Sequence, residues 1–208
     1  MKITCTGHSG FLIELPEYNF IFDYFTDKNN IITPEIFANK KTCVFVSHSH
    51  CDHYNKKIFN WNSFGNIMYV LDIGCKTTET KNIIKVREGD DLNIFNDEMR
   101  IKTYGSTDEG VSFLATAGGY VIFHAGDLND WYWEEESTPE ELIEAEGNYF
   151  RVIKKIAGQK IDVAFIPEDP RLGRNFGRGI KYFKEIVGPD KIIPMHFPGN
   201  AGLKYENM

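Results

Sequence analysis

Residues 47 to 53 read SHSHCDH, which places three of the chain's six histidines and an aspartate within seven positions, directly behind the apolar run Val44-Phe45-Val46. In an extended chain the side chains at i and i+2 share a face, so His48 and His50 can converge on one ion from the end of a strand. If the chain then turns into a helix, Asp52 and His53 project beside them toward a second ion. Imidazole nitrogens with a carboxylate make a borderline donor set suited to zinc, manganese or iron. The spacing differs from H-E-x-x-H, in which one helical turn aligns the histidines, so a helical metalloprotease is not expected. Ser49 and Cys51 would point elsewhere.

The elements that must carry these residues are legible from alternation and turn residues. Lys2 to Thr6, Phe11 to Leu15 and Tyr18 to Tyr24 read as an antiparallel meander separated by GHSG and PE. A short helix from Pro34 through Phe37 leads into the strand Thr42 to Ser47 that delivers the histidines. Further strands are expected at Ile67 to Leu71, Ile83 to Val86, Asp91 to Ile94 and Met99 to Tyr104. GVSFLATAGGYVIFHAGD reads as a hairpin about Gly118-Gly119, its second strand ending at His124. From Thr138 to about Ala157 the pattern is helical, with Pro139 at the first turn, a T-x-x-E capping box to Glu141, and a stripe of Leu142, Ile143, Phe150, Ile153 and Ile156. Strand, Gly/Arg-rich loop, helix and strand follow, ending in KIIPMHF. Strands dominate the first half and alternate with helices in the second, which suggests layered α/β with a mixed sheet.

With 208 residues the chain has the length of one domain, expected to span 1–208. A formal charge of −7 argues against a general nucleic-acid or membrane-surface binder, both of which need a basic field. The first residues alternate as a strand does and lack the pattern of a signal peptide. No apolar run reaches the length of a transmembrane helix. Cys5, Cys43, Cys51 and Cys75 show no C-x-x-C spacing, so reduced thiols in a cytoplasmic protein are expected.

HSHCDH matches the H-x-H-x-D-H signature of the metallo-β-lactamase superfamily, and HAGD at 124 to 127, IPMHF at 193 to 197 and the opening GHSGFLIEL resemble further pieces of it in order. The opening is similar to the first hairpin of UlaG-like and related metal-dependent hydrolases. The resemblance implies an αββα sandwich, two mixed sheets with helices outside and a site along one edge. It assigns His48 and His50 to a first metal site, Asp52, His53 and His196 to a second, and Asp127 to both.

One ligand of the family pattern is missing. The family usually carries a third first-site histidine before a hairpin; TYGSTDEGVSF at 103 to 113 lines up with that segment and has Ser106 in its place. Asp108, two residues on, is a candidate substitute. It reads equally well as an exposed loop acid. His8, in the GHSG turn, is a candidate for a supporting group, a proton donor or the substitute ligand, and His124 for a residue that orients a metal-bound side chain.

Two such cations would share a water, lower its pKa and hold the hydroxide for attack, with Asp127 bridging and Asp52 accepting a hydrogen bond from it. The expectation is a hydrolase of a small molecule, an anionic one among the candidates: a lactone, ester or phosphodiester. Two divalent ions, zinc first and manganese or iron as alternatives, are its cofactors, and the first site is expected to be the weaker. Arg171, in a basic span with Arg174, Arg178, Lys181 and Lys184, is the best candidate for gripping an anion. Trp131 and Trp133 could wall a pocket or seat the following helix. The alternatives are a non-catalytic metal-binding or regulatory protein and, with less support, a di-iron redox protein, whose relatives resemble H-x-E-x-D-H where this chain has His50.

Overall fold

The computed structural model describes residues 1–78 and 81–206. The opening alternation folds as the expected meander: β1 (Lys2–Gly7), β2 (Gly10–Glu14) and β3 (Tyr18–Phe22) pair antiparallel. Onto β3 are added, in parallel, β4 (Lys41–Val46), β5 (Asn66–Asp72) and β6 (Ile83–Val86). A second sheet starts antiparallel with β7 (Asp91–Ile94), β8 (Met99–Gly105), β9 (Val111–Ala117) and β10 (Tyr120–His124). It turns parallel with β11 (Val163–Pro167) and β12 (Ile192–Met195). Gly118 and Gly119 both have positive φ, 58° and 82°, as the tight turn between β9 and β10 requires.

The two sheets face each other through aromatic residues. Phe20, Phe22 and Phe45 of the first meet Phe113 and Phe165 of the second, with the rings of Phe45 and Phe113 5.2 Å apart and those of Phe22 and Phe165 6.5 Å apart. The alternate residues of the same strands, Ile21, Val44 and Val46, are buried on the opposite face under Phe37, Ile58 and Trp61. Burial on both faces explains why β4 reads as a continuous apolar run rather than as an alternation.

The outer layers differ. The second sheet is covered by α1 (Pro139–Ile156) and α2 (Arg178–Ile186), Phe183 of α2 packing 5.1 Å from Phe123 of β10. The first is covered by short 3-10 helices, Pro34–Phe37 and Lys56–Ser63. The α1 capping box forms as expected, Glu141 N donating to Thr138 Oγ1 and Thr138 N to Glu141 Oε2. The stripe behind it is rotated: Leu142, Tyr149, Val152, Ile153 and Ile156 are buried, whereas Ile143 is 72% exposed and Phe150 only partly covered. Ile143 lies one residue, or 100° of helix, beyond the face that Leu142 defines. A last strand, β13 (Lys204–Glu206), had no sequence signal and pairs with β1.

The consequence for function is positional. Asp23 follows β3, Ser47 to His53 follow β4, Asp127 follows β10, Asp169 follows β11 and His196 follows β12, so the carboxyl ends of five strands open on one rim. Such rims are where α/β sheets place ligands.

Candidate metal centre

Asp127 lies between two groups of imidazoles. Its Oδ2 is 3.4 Å from His48 Nε2, while its Oδ1 is 3.1 Å from His53 Nε2 and 3.4 Å from His196 Nε2. On the His48 side, His50 points Nδ1 at His48 Nε2 across 3.0 Å. Donor atoms of His50, Asp108 and Asp127 lie within 4.8 Å of one another, and so do those of His8, Asp52, His53 and His196. Every candidate metal residue named from the sequence thus stands at one rim, Asp108 beside His50 and Asp127, and His8 on the other side with Asp52.

The other face of each buried imidazole is already engaged. His53 Nδ1 is 2.8 Å from Asp23 Oδ2, and His196 Nδ1 is 3.0 Å from Asp169 Oδ2. Ser47 Oγ donates to Asp23 Oδ2 and lies 2.9 Å from His48 Nδ1. With Nδ1 carrying the proton toward these acceptors, the Nε2 lone pairs of His48, His53 and His196 all turn toward Asp127. A carboxylate behind an imidazole that faces inward is the arrangement that fixes tautomer and orientation in a metal site.

The fit to a cation shows in what the protein leaves unpaired. His53 Nε2 and Asp127 Oδ1 are buried without a hydrogen-bond partner, and such orphans are rare. Burial alone would depress the His53 imidazolium, but Asp127 and Asp23 outweigh it and raise His53 to about 10. Burial would likewise raise Asp23, yet the bond from His53 and the neighbouring imidazoles bring it to about 2. Burial depresses His48 and His196, keeping both neutral as ligands must be. The His8 imidazole holds Asp52 well below the usual carboxylate range. Without a cation the positive charge of the pocket sits on the His53 proton, which a bound metal would displace, while His48 and His196 already offer neutral nitrogen.

Local backbone is shaped to this end. His8, Asp23 and His196 have positive φ, 55°, 41° and 69°, a region that costs an L-residue of order 1–3 kcal/mol and collects at functional sites. Instead of a helix after the histidines, residues 51–53 form a single turn in which Tyr54 N donates to His50 O at 3.0 Å, and this swings His53 back under His48. Gly110, at φ 74°, lets its loop close on the histidine segment; a Cβ there would stand 1.9 Å from Ser47 O.

The remaining candidates separate into rim and support. His124 receives Gly126 N at Nδ1 and lies 2.9 Å from Ser9 O through Nε2, so it braces the turn ahead of Asp127 rather than facing the pocket. Ser106 Oγ accepts from Asp108 N at 3.3 Å and shapes the loop. Thr107 fastens that loop across the pocket, donating to Asn129 O at 2.6 Å and receiving Asn129 N at 2.9 Å.

A cleft of about 440 Å³ is lined by the metal-side residues together with Trp131, Trp133 and Arg171. Trp131 is held by its Nε1 on Asp127 O and meets the His196 ring at 5.4 Å. Arg171 bonds Asp169 through Nε at 2.9 Å and leaves its side chain 67% exposed at the lip, 5.6 Å from the Trp133 ring. Two further arginines of the basic span are used elsewhere: Arg174 pairs with Glu134, and Arg178 with Asp130 and Glu146.

Asp23, Asp169 and Thr107 were not found from the sequence. Each is a single polar residue with no spacing motif. For the two acids the only hint is a carboxylate immediately after an apolar strand, in FIFD and IPED.

Fold and site together define the class: metal-dependent hydrolases of the metallo-β-lactamase superfamily. The chain belongs to that superfamily, residues 2–143 matching the family described as the β-lactamase superfamily domain. A metal-dependent hydrolase of Carboxydothermus hydrogenoformans is 25% identical over 217 residues, covering 95% of this chain and 84% of the relative. The metallo hydrolase Igni18 of the archaeon Ignicoccus hospitalis shares the fold at a TM-score of 0.62 and 18% identity, over 94% of this chain and 82% of that one. The metallo-β-lactamase fold protein YhfI of Bacillus subtilis superposes at 0.57 with 12% identity, over 98% of both chains. Among the described residues no helix is long and apolar enough to cross a membrane.

Proposed function

We propose that this hydrolase holds two divalent cations, zinc foremost, and cleaves a lactone, ester or phosphodiester bond in a small anionic molecule. One cation is assigned to His48, His50, Asp108 and Asp127, the other to Asp52, His53 and His196 with Asp127 between the two. The observation that carries the reading is Asp127 itself, its two oxygens directed at imidazoles on opposite sides while Oδ1 lacks any hydrogen bond. When bound, two such cations supply a water of lowered pKa and stabilise developing negative charge on the substrate oxygen.

The chain's own residues do the rest. Asp52 is 45% exposed and lines the cleft, where its carboxylate can accept a hydrogen bond from an attacking water and orient it. Trp131 and Trp133 exclude solvent from one wall. Arg171, whose Nε and Nη2 hold Asp169, offers Nη1 to an anionic group of the substrate at the lip, and the 440 Å³ cleft suits a small molecule.

Metal analysis of the purified protein tests the reading, together with a screen of chromogenic lactones, esters and phosphodiesters. Two equivalents of metal and turnover of one of these classes are expected, and His48→Ala with His53→Ala should abolish both. Turnover that survives in the metal-free double variant sinks the proposal. Metal without turnover of any class would favour a binding or regulatory protein, for which the lost histidine at Ser106 is the motive.

A further inference from the structure

We infer that His8 is a direct ligand of the second cation, giving that site His8, Asp52, His53 and His196 beside the shared Asp127, three imidazoles against the two of the first. The inference rests on the two-cation reading above and goes beyond it in assigning a ligand and an order of filling.

The argument begins with the backbone. His8 sits in the turn between β1 and β2 at φ 55°, a conformation that asparagine or glycine adopts more readily. It is held there from the far end of the chain. Asn200, 2% exposed, accepts from His8 N at 2.7 Å and donates to His8 O at 2.6 Å, and His196 N donates to the same carbonyl at 3.3 Å. Three bonds thus fix the backbone of this one residue and aim its imidazole at Asp52 and His196.

The imidazole confirms that the clamp has a purpose. Its Nε2 is buried without a hydrogen-bond partner, although Asp52 Oδ2 is only 3.3 Å away. The ring lies 4.2 Å from that of His196 and 5.7 Å from that of His53. One donor atom from each of His8, Asp52, His53 and His196 falls within 4.8 Å of all the others. Four ligands at zinc distances of about 2.0–2.1 Å stand about 3.4 Å apart at the corners of a tetrahedron, so a modest contraction of this set would close on an ion.

The two halves of the centre are therefore unequal. The second has three imidazoles, Asp52 and the shared Asp127. The first has two imidazoles, Asp127, and Asp108 on an exposed loop, with Ser106 occupied by the backbone of that loop. The second should fill first and hold its ion longer.

The test uses the full chain carrying His48→Ala and His50→Ala, which leaves the second site as the one to be measured, and titrates zinc(II) against a chromogenic chelator. His8→Asn, which tolerates the positive φ, is added to this background, and Asp23→Asn is made separately as the comparison for a residue that supports a ligand. One equivalent of zinc is expected in the background. His8→Asn should weaken it more than a hundredfold, beyond the roughly 10–100-fold cost of losing a hydrogen-bonded support. Asn200→Ala, which frees the His8 backbone, should weaken it to a lesser degree. In the cobalt(II)-loaded background the visible d–d bands should shift on His8→Asn. Circular dichroism of the metal-free variants confirms that they are folded. A His8→Asn effect no larger than that of Asp23→Asn, or an unchanged cobalt spectrum, overturns the inference. Absence of any zinc in the unmutated protein would instead overturn the two-cation reading itself.

Discussion

At the scale of single residues, the centre is built in pairs, an inward imidazole nitrogen and an outward one held by an acid. Asp23 serves both His53 and, through Ser47, His48, so Asp23→Asn should reach both halves of the site. A loss of about 10–100-fold in zinc affinity is expected, measured by chelator competition, with the fold retained because the amide is nearly isosteric. Arg171 predicts a different signature. Arg171→Ala should raise KM for an anionic ester several-fold, leave a neutral ester of the same alcohol unaffected, and leave metal content at the wild-type value. An equal loss on both esters would remove Arg171 from substrate recognition. The histidines themselves were legible because they crowd into one heptapeptide and its order-matched partners. Asp23 and Asp169 were not, because each is a lone carboxylate whose meaning comes from a residue some thirty positions away.

At the scale of elements, strands were read to within a residue or two wherever a buried face imposed alternation or an unbroken apolar run, as in β4 and the β9–β10 hairpin. The short helix Pro34–Phe37 was read, but the turn of residues 51–53, the 3-10 helix Lys56–Ser63 and β13 escaped, since each depends on what it packs against rather than on its own pattern. The α1 cap is testable in isolation from the chemistry. Thr138→Ala should cost about 1 kcal/mol in denaturant unfolding and leave metal content unchanged. Gly110→Ala should do both kinds of harm: a Cβ at φ 74° and 1.9 Å from Ser47 O forces the histidine segment aside. Its expected signature is a stability loss of more than about 1 kcal/mol together with reduced metal binding. Wild-type metal affinity in that variant would show that the loop can retreat without disturbing His48.

At the scale of the whole molecule, alternation carried only layered α/β with a mixed sheet and the αββα sandwich came from the family resemblance, and neither said which outer layer would be α-helical. The centre joins the ends of strands from both sheets, so an ion held there cross-links them. Zinc at about 100 times its Kd should therefore stabilise the fold by about 2.7 kcal/mol. For a chain of this size that is a rise in Tm of roughly 5–11 °C over the chelated protein, read by differential scanning calorimetry. A Tm indifferent to chelator would show that the two sheets do not depend on the centre for their alignment.

The bond pair between Thr107 and Asn129 carries one further consequence. It spans the mouth of the cleft and ties the loop bearing Asp108 to the segment that continues into Trp131 and Trp133. Displacing either stretch therefore strains or breaks those two bonds. Under the proposed two-cation reading, a substrate bulky enough to push the tryptophans outward would also pull the acid away from His50, and pocket size would trade against retention of the first ion. Broadening the specificity of this protein by enlarging its aromatic wall would then work only if Thr107 is released first.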